Sequence, residues 1–369
     1  MSDKAKSAQE ALASVDAFIK EARSEGAGSE IAANTVPGKG LDIGTGNLVS
    51  AMTDQEGDVI TRSQRNAFLD LEVNDFIKKM LTKQGVQYIV HQRRFYILGD
   101  PAFELANVFN RQTRRPMAKG LISPHEIDAL PMIQLLIRQL LGEPTVANEV
   151  CYFSVPAEPI DSTMNVTYHR EIFSGLLKRM GYKPQDIAEG HAVVFSELAE
   201  DNFTGIGISW GAGMANVSVS YMTVPALTFA TSRGGDWIDE NAAMVLGMNP
   251  TRAQSIKEKG VDLMNPQGRE QEAITIYYRN LISYTLKNIA DRFTKGKEMP
   301  TFPGAIDIVC AGGTSRAKNF IDVFTDEFEK LKKNEGFPLE IKNIRLAEDP
   351  MTAIAKGCML AANNEMDQE

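Results

Sequence analysis

The chain has 369 residues, enough for two compact domains or one large two-lobed unit, and its 43% hydrophobic and 24% charged residues are ordinary for a globular protein. A formal net charge of -9 argues against nucleic acid as a bulk electrostatic partner, because no large positive field is available. Three cysteines and an N-terminus without a long apolar run argue against a disulfide framework, a signal peptide and a transmembrane helix, and favour a soluble cytoplasmic protein.

The first segment, residues 1–24, predicts an amphipathic helix, because its apolar residues recur at helical spacing at Ala8, Leu12, Val15 and Ile19. Its basic and acidic residues balance, and Phe18 is its single aromatic residue. Membrane binding is therefore the weaker expectation, and a protein partner or the regulation of assembly is the stronger one. Residues 26–39 are rich in Gly, Ser, Ala and Pro, so residues 1–39 predict a detachable helix and a flexible linker ahead of a fold that begins near Gly40.

A hairpin with a glycine-containing turn occurs twice. Strand-like residues 41–43 and 48–51 flank the turn Gly-Thr-Gly-Asn, and a second hairpin of similar design spans residues 206–221 around WGAGM. An apolar strand and a helix follow each hairpin, with the strands at 150–158 and 306–315. The order hairpin, strand, helix therefore occurs twice, which predicts a duplicated α/β core with a cleft between its halves.

Insertions separate the repeated parts. Residues 88–99 alternate and predict strands, and the remaining insertions predict helices over residues 123–141, 237–246, 251–259 and 270–293. These features predict a first lobe at residues 40–180 with a small-subdomain insertion at about 60–120. They predict a second lobe at 181–362 with an insertion at about 233–300, followed by a tail at 363–369.

Glycine turns of this kind suit phosphate binding, because several backbone N–H groups can point at one anion with no Cβ in the way. Asp42 precedes the first turn, where a carboxylate can hold Mg²⁺ through water. One such turn is equally compatible with a plain hairpin, but two turns that open repeated units favour a nucleotide. The candidate phosphate-binding residues are Gly44, Thr45, Gly46 and Asn47 in the first turn, and Gly211, Ala212 and Gly213 in the second.

These motifs resemble those of the actin, sugar-kinase and heat-shock ATPase superfamily. The matching segments, in order, are LDIGTGN, FSVPAE, IVCAGGTSRAKNF and EDPMTAIAKGCMLAA. Within the superfamily the chain is similar to the MreB and MamK bacterial actins, through GDPAFEL, RRPMAKGLIS, RGGDWID and TRAQSIKEKG. The resemblance covers about residues 40–362 and implies a duplicated actin-like (ribonuclease H-like) ATPase fold, α/β in class, with two lobes, four subdomains and a nucleotide cleft.

The resemblance also implies the ligands, ATP and Mg²⁺, and a set of binding residues. It places Asp42 behind the metal, and Thr45, Gly46 and Asn47 at the β- and γ-phosphates. The residues that it assigns to the sugar, the phosphates and the adenosine are Gly234, Gly235, Asp236, Gln254, Lys257, Gly312, Gly313 and Ser315. The glycine pair at 312–313 is also compatible with an ordinary strand-to-helix turn that a Ser or Thr caps.

The second turn departs from the family pattern, which usually has an aspartate before it and a threonine at its end. Ser209 and Met214 occupy these positions, so one carboxylate around the metal is expected to be missing. The family's water-activating acid falls at His169, and Glu171 lies two residues away on a different helix face. Either group orients the water and hydrolysis is slow, or the chain binds ATP and barely hydrolyses it, because each lost catalytic group costs roughly 10²–10⁴-fold. A lone helix histidine is otherwise most often a surface residue.

The expected function is that of a cytoskeletal protein with weakened ATPase activity, in which ATP closes the lobes and monomers stack head to tail into filaments. The alternatives are a non-polymerising nucleotide-binding scaffold, a small-molecule kinase of the same fold and a chaperone-type ATPase. The small-subdomain insertion and the RGGD motif disfavour a kinase, and the end of the chain soon after the last core helix disfavours a chaperone. The basic run Arg111, Arg114 and Arg115 is expected to be a solvated loop rather than a polymer contact or a patch for an anionic partner.

Overall fold

The computed structural model describes residues 3–25, 35–109, 111–123, 126, 128–296 and 299–367. They form two compact units, each built on a five-stranded sheet that mixes parallel and antiparallel pairs. Unit 1 comprises Met1–Phe153, Asn165–Asp186 and Ala362–Glu369, and unit 2 comprises Ser154–Met164 and Ile187–Ala361.

The elements up to the end of unit 1's main segment are, in chain order, α1 (Asp3–Glu21), β1 (Arg23–Glu25), β2 (Thr35–Ile43), β3 (Asn47–Asp54), β4 (Val59–Arg65), β5 (Phe68–Glu72), α2 (Asp75–Lys83), β6 (Tyr88–His91), β7 (Arg94–Leu98), α3 (Asp100–Val108), β8 (Met117–Ala118), β9 (Leu121–Ile122), α4 (Ala129–Leu141) and β10 (Val150–Val155). The later elements are α5 (Val166–Arg179), β11 (Lys183–Ala188), α6 (Glu189–Glu197), β12 (Gly205–Trp210), β13 (Ala215–Tyr221), β14 (Val224–Thr231), α7 (Gly235–Leu246), α8 (Pro250–Glu258), α9 (Gly268–Lys295), β15 (Ile306–Ala311), a 3₁₀ turn (Gly313–Arg316), α10 (Phe320–Asn334), β16 (Ile341–Leu346) and α11 (Ala353–Met366).

The first predicted hairpin lies in the large sheet of unit 1, whose strand order is β11-β10-β2-β3-β4. Strands β2 and β3 pair antiparallel, and β10 lies parallel to β2. A second, smaller sheet has the order β1-β6-β7-β5 and its own apolar core, which includes Leu69, Leu81, Phe95 and Ile97. The strands predicted over residues 88–99 are confirmed as β6 and β7.

The second predicted hairpin lies in the sheet of unit 2, whose strand order is β14-β13-β12-β15-β16. Strand β15 runs parallel to β12, as β10 does to β2, so the predicted repeat is present in the strand pairing. Trp210 is fully buried, and its ring packs edge-on against Phe320 and Phe324 of α10. The four-residue spacing of these phenylalanines therefore marks the face of α10 that covers the sheet.

Strand β2 begins at Thr35, five residues before the start near Gly40 that the sequence indicates. The Lys39 side chain is 1% exposed, and its ammonium group donates to the carbonyl oxygens of Leu141 and Glu143, each at 3.0 Å. These partners lie over 100 residues away, so local composition could not reveal them. The remainder of the predicted linker, residues 26–34, lies outside the described residues.

Helix α1 is not separate from the fold. Its buried side chains are Ala8, Leu12, Val15 and Phe18, and it packs on α4 and α5, while β1 pairs antiparallel with β6. The apolar stripe that suggested an outside partner is therefore covered by unit 1 itself.

Two other expectations need correction. Helix α4 begins at Ala129 rather than at Ser123, and Pro124 lies outside the described residues. Arg114 is only partly exposed, and its guanidinium group forms ion pairs with Asp70, Glu126 and Asp128. Burial lowers the pKa of Arg114, but the Glu126 and Asp70 carboxylates outweigh this effect and raise it. The helices predicted around residues 237–246, 251–259 and 270–293 are confirmed as α7, α8 and α9.

All three cysteines, Cys151, Cys310 and Cys358, are free and buried. Burial raises the pKa of the Cys310 thiol to about 12. No helix among the described residues is long and apolar enough to cross a membrane.

Candidate functional site

The first glycine turn, residues 44–47, is held in a closed conformation by its own backbone. The Gly44 N–H donates to the Asn47 carbonyl oxygen at 3.1 Å, and a Cβ on Gly44 would lie 2.6 Å from the same oxygen. Asn66 fixes the turn from outside, because its backbone N–H donates to the Gly46 carbonyl at 3.0 Å and its side-chain amide donates to the Gly44 carbonyl at 2.9 Å. A side chain at Gly44 would therefore reshape the turn.

Thr45 occupies the tip of this turn and is 4% exposed. Its hydroxyl oxygen accepts a hydrogen bond from the Gly120 N–H at 2.9 Å, in the turn between β8 and β9. Because that bond uses an oxygen lone pair, the hydroxyl proton is left to donate elsewhere. This arrangement suits a residue that binds an anionic oxygen.

The second turn, residues 211–214, repeats the backbone geometry of the first. The Gly211 N–H donates to the Met214 carbonyl oxygen at 2.9 Å, and a Cβ on Gly211 would lie 3.0 Å from that oxygen. In both turns the bond joins residues three apart and starts from a glycine. The sequence similarity between the two hairpins therefore reflects one turn geometry built twice.

Strand register makes Ser209 the counterpart of Asp42. Asp42 lies opposite Val49 across β2 and β3, Ser209 lies opposite Asn216 across β12 and β13, and one further residue pair closes each turn. The register therefore puts a neutral residue, Ser209, at the position that Asp42 occupies in unit 1, and the loss of a family carboxylate there stays an expectation. However, the Ser209 hydroxyl donates to the Glu189 carboxylate at 2.8 Å, so a carboxylate does lie beside the second turn.

Sequence reasoning missed Glu189. It is the first residue of α6, whose following five residues are all buried, and it is itself only 9% exposed. A carboxylate in the first turn of a helix is favoured by the helix dipole, but one acid in the otherwise uncharged run 188–196 is unusual for a core helix. That isolated charge was the available signal.

The N-terminus of α7 and the loop before α10 pack directly on the second turn. The N–H groups of Gly235 and Asp236 donate to the carbonyl oxygens of Gly211 and Ala212, at 2.9 and 2.8 Å. A Cβ on Gly234 would lie 2.5 Å from the Ala212 carbonyl oxygen, so only glycine fits there. The Thr314 hydroxyl also donates to the Gly211 carbonyl, at 3.0 Å.

Lys257 joins this group, whereas Gln254 does not. The Lys257 ammonium donates to the Gly235 carbonyl oxygen at 2.7 Å and to the Asp239 carboxylate at 2.5 Å. Burial raises the pKa of Asp239 to about 6 despite this ion pair. The Gln254 side chain, which is partly exposed, instead donates to Glu258 on its own helix, at 2.9 Å.

The third glycine segment, residues 312–315, has a structural role within unit 2. Gly312 has a φ of 90°, and a Cβ there would lie 2.6 Å from the Trp210 carbonyl oxygen. The Ser315 hydroxyl is fully buried and donates to the Gly312 carbonyl at 2.8 Å, so it caps the turn. Gly313 is less crowded, since its Cβ would meet only the Met351 sulfur, at 3.5 Å. Adenosine contacts by these residues stay a prediction.

His169 is buried rather than a surface residue. Its Nδ1 accepts a hydrogen bond from the Ile122 N–H at 3.3 Å, and burial lowers its pKa to about 3, so the ring is neutral at pH 7. Its Nε2 and the Glu171 Oε2 are buried, and neither has a hydrogen-bond partner among the described residues. The part that either plays in orienting water stays a prediction.

A single carboxylate beside either glycine turn suits Mg²⁺ only if a bound nucleotide and water supply most of the oxygen ligands of the metal. No group of three or more His, Cys, Asp or Glu residues that could hold a metal occurs in the described part of the chain. Mg²⁺ bound to a nucleotide uses phosphate oxygens, water and one or two carboxylates. Asp42 in unit 1 and Glu189 in unit 2 are the carboxylates that each unit offers beside its turn.

A protein-family model described as Volactin matches residues 38–362. The sequence matches no curated protein at a significant level. Among solved structures, the chain is similar to a MamK double helical filament, with 17% identity, a TM-score of 0.66, and coverage of 88% of this chain and 98% of the other.

Two further solved structures show the same fold. MreB 5 of Spiroplasma citri bound to AMPPNP is 14% identical with a TM-score of 0.63, and the match covers 90% of this chain and 97% of the other. The ethanolamine utilization protein EutJ from Carboxydothermus hydrogenoformans is 14% identical with a TM-score of 0.51, covering 97% and 99%. The predicted α/β actin-like fold and the resemblance to MreB and MamK are therefore confirmed.

Proposed function

Because the chain belongs to the Volactin family, we propose that it is an actin-like protein that binds ATP with Mg²⁺ and assembles head to tail into filaments, with slow hydrolysis. The observation that carries the proposal is the duplicated turn. Residues 44–47 and 211–214 share one backbone bond and one close approach at the leading glycine, each at the end of a strand pair.

The ATP part of the proposal rests on what each turn presents. In unit 1, Thr45 has a hydroxyl proton to donate, and Asp42 supplies a carboxylate for the metal. In unit 2, the Gly235 and Asp236 N–H groups anchor the N-terminus of α7 on the second turn, and the positive end of the helix dipole there favours an anion nearby. AMPPNP, an ATP analogue, is bound in the similar MreB 5 structure. The remaining proposed nucleotide contacts are Gly46, Asn47, Gly213, Asp236, Lys257 and Gly313.

The filament part rests on fold likeness to MamK, which forms a double helical filament. Head-to-tail contacts that do not close into a ring generate an open polymer from one asymmetric monomer. Nucleotide shifts this equilibrium only if it binds the polymerising shape more tightly than the free one.

Hydrolysis requires a group that orients water, and Glu189 is the candidate that the geometry favours. Its carboxylate is held by the Ser209 hydroxyl at the edge of the second turn, whereas His169 is sequestered in the core of unit 1 and is neutral. Ser209 carries no charge, so the second turn lacks the carboxylate that the family pattern leads us to expect at that position. Slow turnover is the consequence.

Assembly is tested by sedimentation and negative-stain electron microscopy of the purified chain with ATP, AMPPNP, ADP and no nucleotide, with Mg²⁺ present. We expect pelletable filaments with ATP and AMPPNP. Nucleotide binding without any polymer would indicate the scaffold alternative, and ATP consumption only with an added sugar would indicate the kinase.

Catalysis is tested by phosphate release from the parent chain and two variants that keep side-chain size. Glu189→Gln removes the carboxylate and is expected to lower the rate roughly 10²-fold or more, because a lost catalytic group costs 10²–10⁴-fold. His169→Gln keeps an acceptor for the Ile122 N–H and is expected to retain the rate. The opposite result, with Glu189→Gln active and His169→Gln inactive, would return the role to His169.

A further inference from the structure

Residues 8–25, here called the N-terminal arm, lie outside the region that the Volactin model matches, yet they contact two separate parts of unit 1. Helix α1 packs on α4 and α5, which belong to the part of unit 1 that contains the five-stranded sheet, here called the large-sheet part. Strand β1 pairs with β6 in the small sheet, with Arg23 opposite Val90, Ser24 opposite Ile89 and Glu25 opposite Tyr88.

The large-sheet part has a surface on α5 that is complementary in shape to α1. Gly175 lies inside α5, where glycine costs a helix about 1 kcal/mol relative to alanine. A Cβ on Gly175 would lie 2.4 Å from the Leu12 Cδ1. The close approach of Leu12 is therefore a reason for a glycine at that position, and an ion pair from Arg179 to Asp16 at 3.0 Å lies beside it.

The small sheet contacts the C-terminal end of the N-terminal arm. The Phe18 ring lies 4.1 Å from the His91 ring of β6 and 5.7 Å from the Tyr96 ring of β7, edge-on to the latter. Glu21 approaches His91 at 4.0 Å, and β1 then covers the edge of β6. Without β1, strand β6 would be an edge strand with open backbone groups.

We propose that the N-terminal arm is an intramolecular strap that fixes the small sheet against α5. The small sheet has its own apolar core, so its position relative to α5 depends on contacts outside that core. Helix α5 also carries His169, which binds the β8–β9 hairpin that touches Thr45. The strap therefore fastens the small sheet to the helix that supports the first glycine turn, and an outside protein can reach the apolar face of α1 only by displacing it.

The defining property of a strap is coupling between its two attachments. Leu12→Asp introduces a charge into the buried contact between Leu12 and Gly175 and disrupts the attachment of α1. The double variant Arg23→Pro with Ser24→Pro disrupts the strand end, because neighbouring strand residues direct their N–H groups to opposite sides and one of the two must face β6. Ala13→Asp adds the same charge on the exposed face of α1, one residue along the helix, and is the matched control.

Hydrogen–deuterium exchange of the nucleotide-free full chain tests the coupling without relying on ATP binding or assembly. We expect Leu12→Asp to speed exchange of β6 amides about tenfold or more, and the proline variant to speed exchange in α1 similarly, while β10 and the Ala13→Asp control stay as in the parent. Faster exchange confined to the end that was mutated would overturn the proposal. Uniformly faster exchange through unit 1, including β10, would also overturn it, since the arm would then be part of one core.

Discussion

Replacing Lys39 by methionine should destabilise unit 1 by several kcal/mol. The ammonium group is buried, donates to the carbonyl oxygens of Leu141 and Glu143 and to the Tyr182 hydroxyl at 3.1 Å, and lies 3.7 Å from the Glu149 carboxylate. Burial lowers the pKa of Lys39, and the Glu149 charge opposes that shift. The cation thus caps the carbonyl groups at the end of α4 while it balances a carboxylate that is fully buried.

The magnitude follows from what Lys39→Met leaves behind. Breaking one partner of a buried ion pair costs about 3–5 kcal/mol, because the other charge stays buried without compensation. Glu149 keeps hydrogen bonds from the N–H groups of Gly38 and Thr145, which places the expected loss toward the lower end of that range. Adding Glu149→Gln should restore part of the loss, since no buried charge then remains.

The change in the free energy of unfolding is measured by urea titration with hydrogen exchange monitored in each unit separately. This design does not assume that both units unfold together. Lys79→Met changes the same chemistry at an exposed position of unit 1 and should shift stability by less than about 0.5 kcal/mol. A loss below about 1 kcal/mol for Lys39→Met, or a double variant no more stable than the single one, would refute the reasoning.

Three further predictions concern other residues. The pKa of His169 in the folded chain is about 3 against its ordinary 6.5, so neutral His169 stabilises the fold above pH 6.5. This stability is lost as pH falls toward 3, by about 2 kcal/mol at pH 5. Urea titrations at pH 7 and 5 should show a smaller loss in His169→Gln than in the parent chain. Gly234→Ala places a Cβ 2.5 Å from the Ala212 carbonyl oxygen and should weaken ATP binding at least about tenfold by fluorescence titration, whereas Gly304→Ala, which meets nothing within 4 Å, should not. Gly357→Ala places a Cβ 1.9 Å from the Ala192 carbonyl oxygen and should lower the thermal stability of unit 2 by about 3 kcal/mol, and an unchanged melting temperature would contradict this packing.

The parts of the fold that the sequence predicted carry local signals. Glycine turns flanked by apolar strands indicated both hairpins, and the apolar strand and helix that follow each of them are present as β10 with α5 and β15 with α10. The second turn's departure at Ser209 was also visible, because the two motifs could be laid side by side.

The parts that the sequence did not predict depend on distant partners. Glu189 meets Ser209 across 20 residues and from another element, so the acid beside the second turn could not be assigned by counting within one motif. The hydrogen-bond partner of the buried His169 is the Ile122 N–H, in a two-residue strand that no periodicity reveals. In the part of β2 ahead of Gly40, the ammonium group of Lys39 is buried against carbonyl groups over 100 residues later, which local composition cannot indicate.

The burial of all three thiols has a practical consequence for following this molecule in solution. Core cysteines with raised pKa values, as for Cys310, react slowly with maleimides, because the reactive thiolate is scarce and shielded. Two cysteines introduced on exposed helix faces of one unit would thus be labelled selectively in the otherwise unaltered chain. Fluorophore pairs could then report distances within each unit as nucleotide is added, with little background from the native thiols.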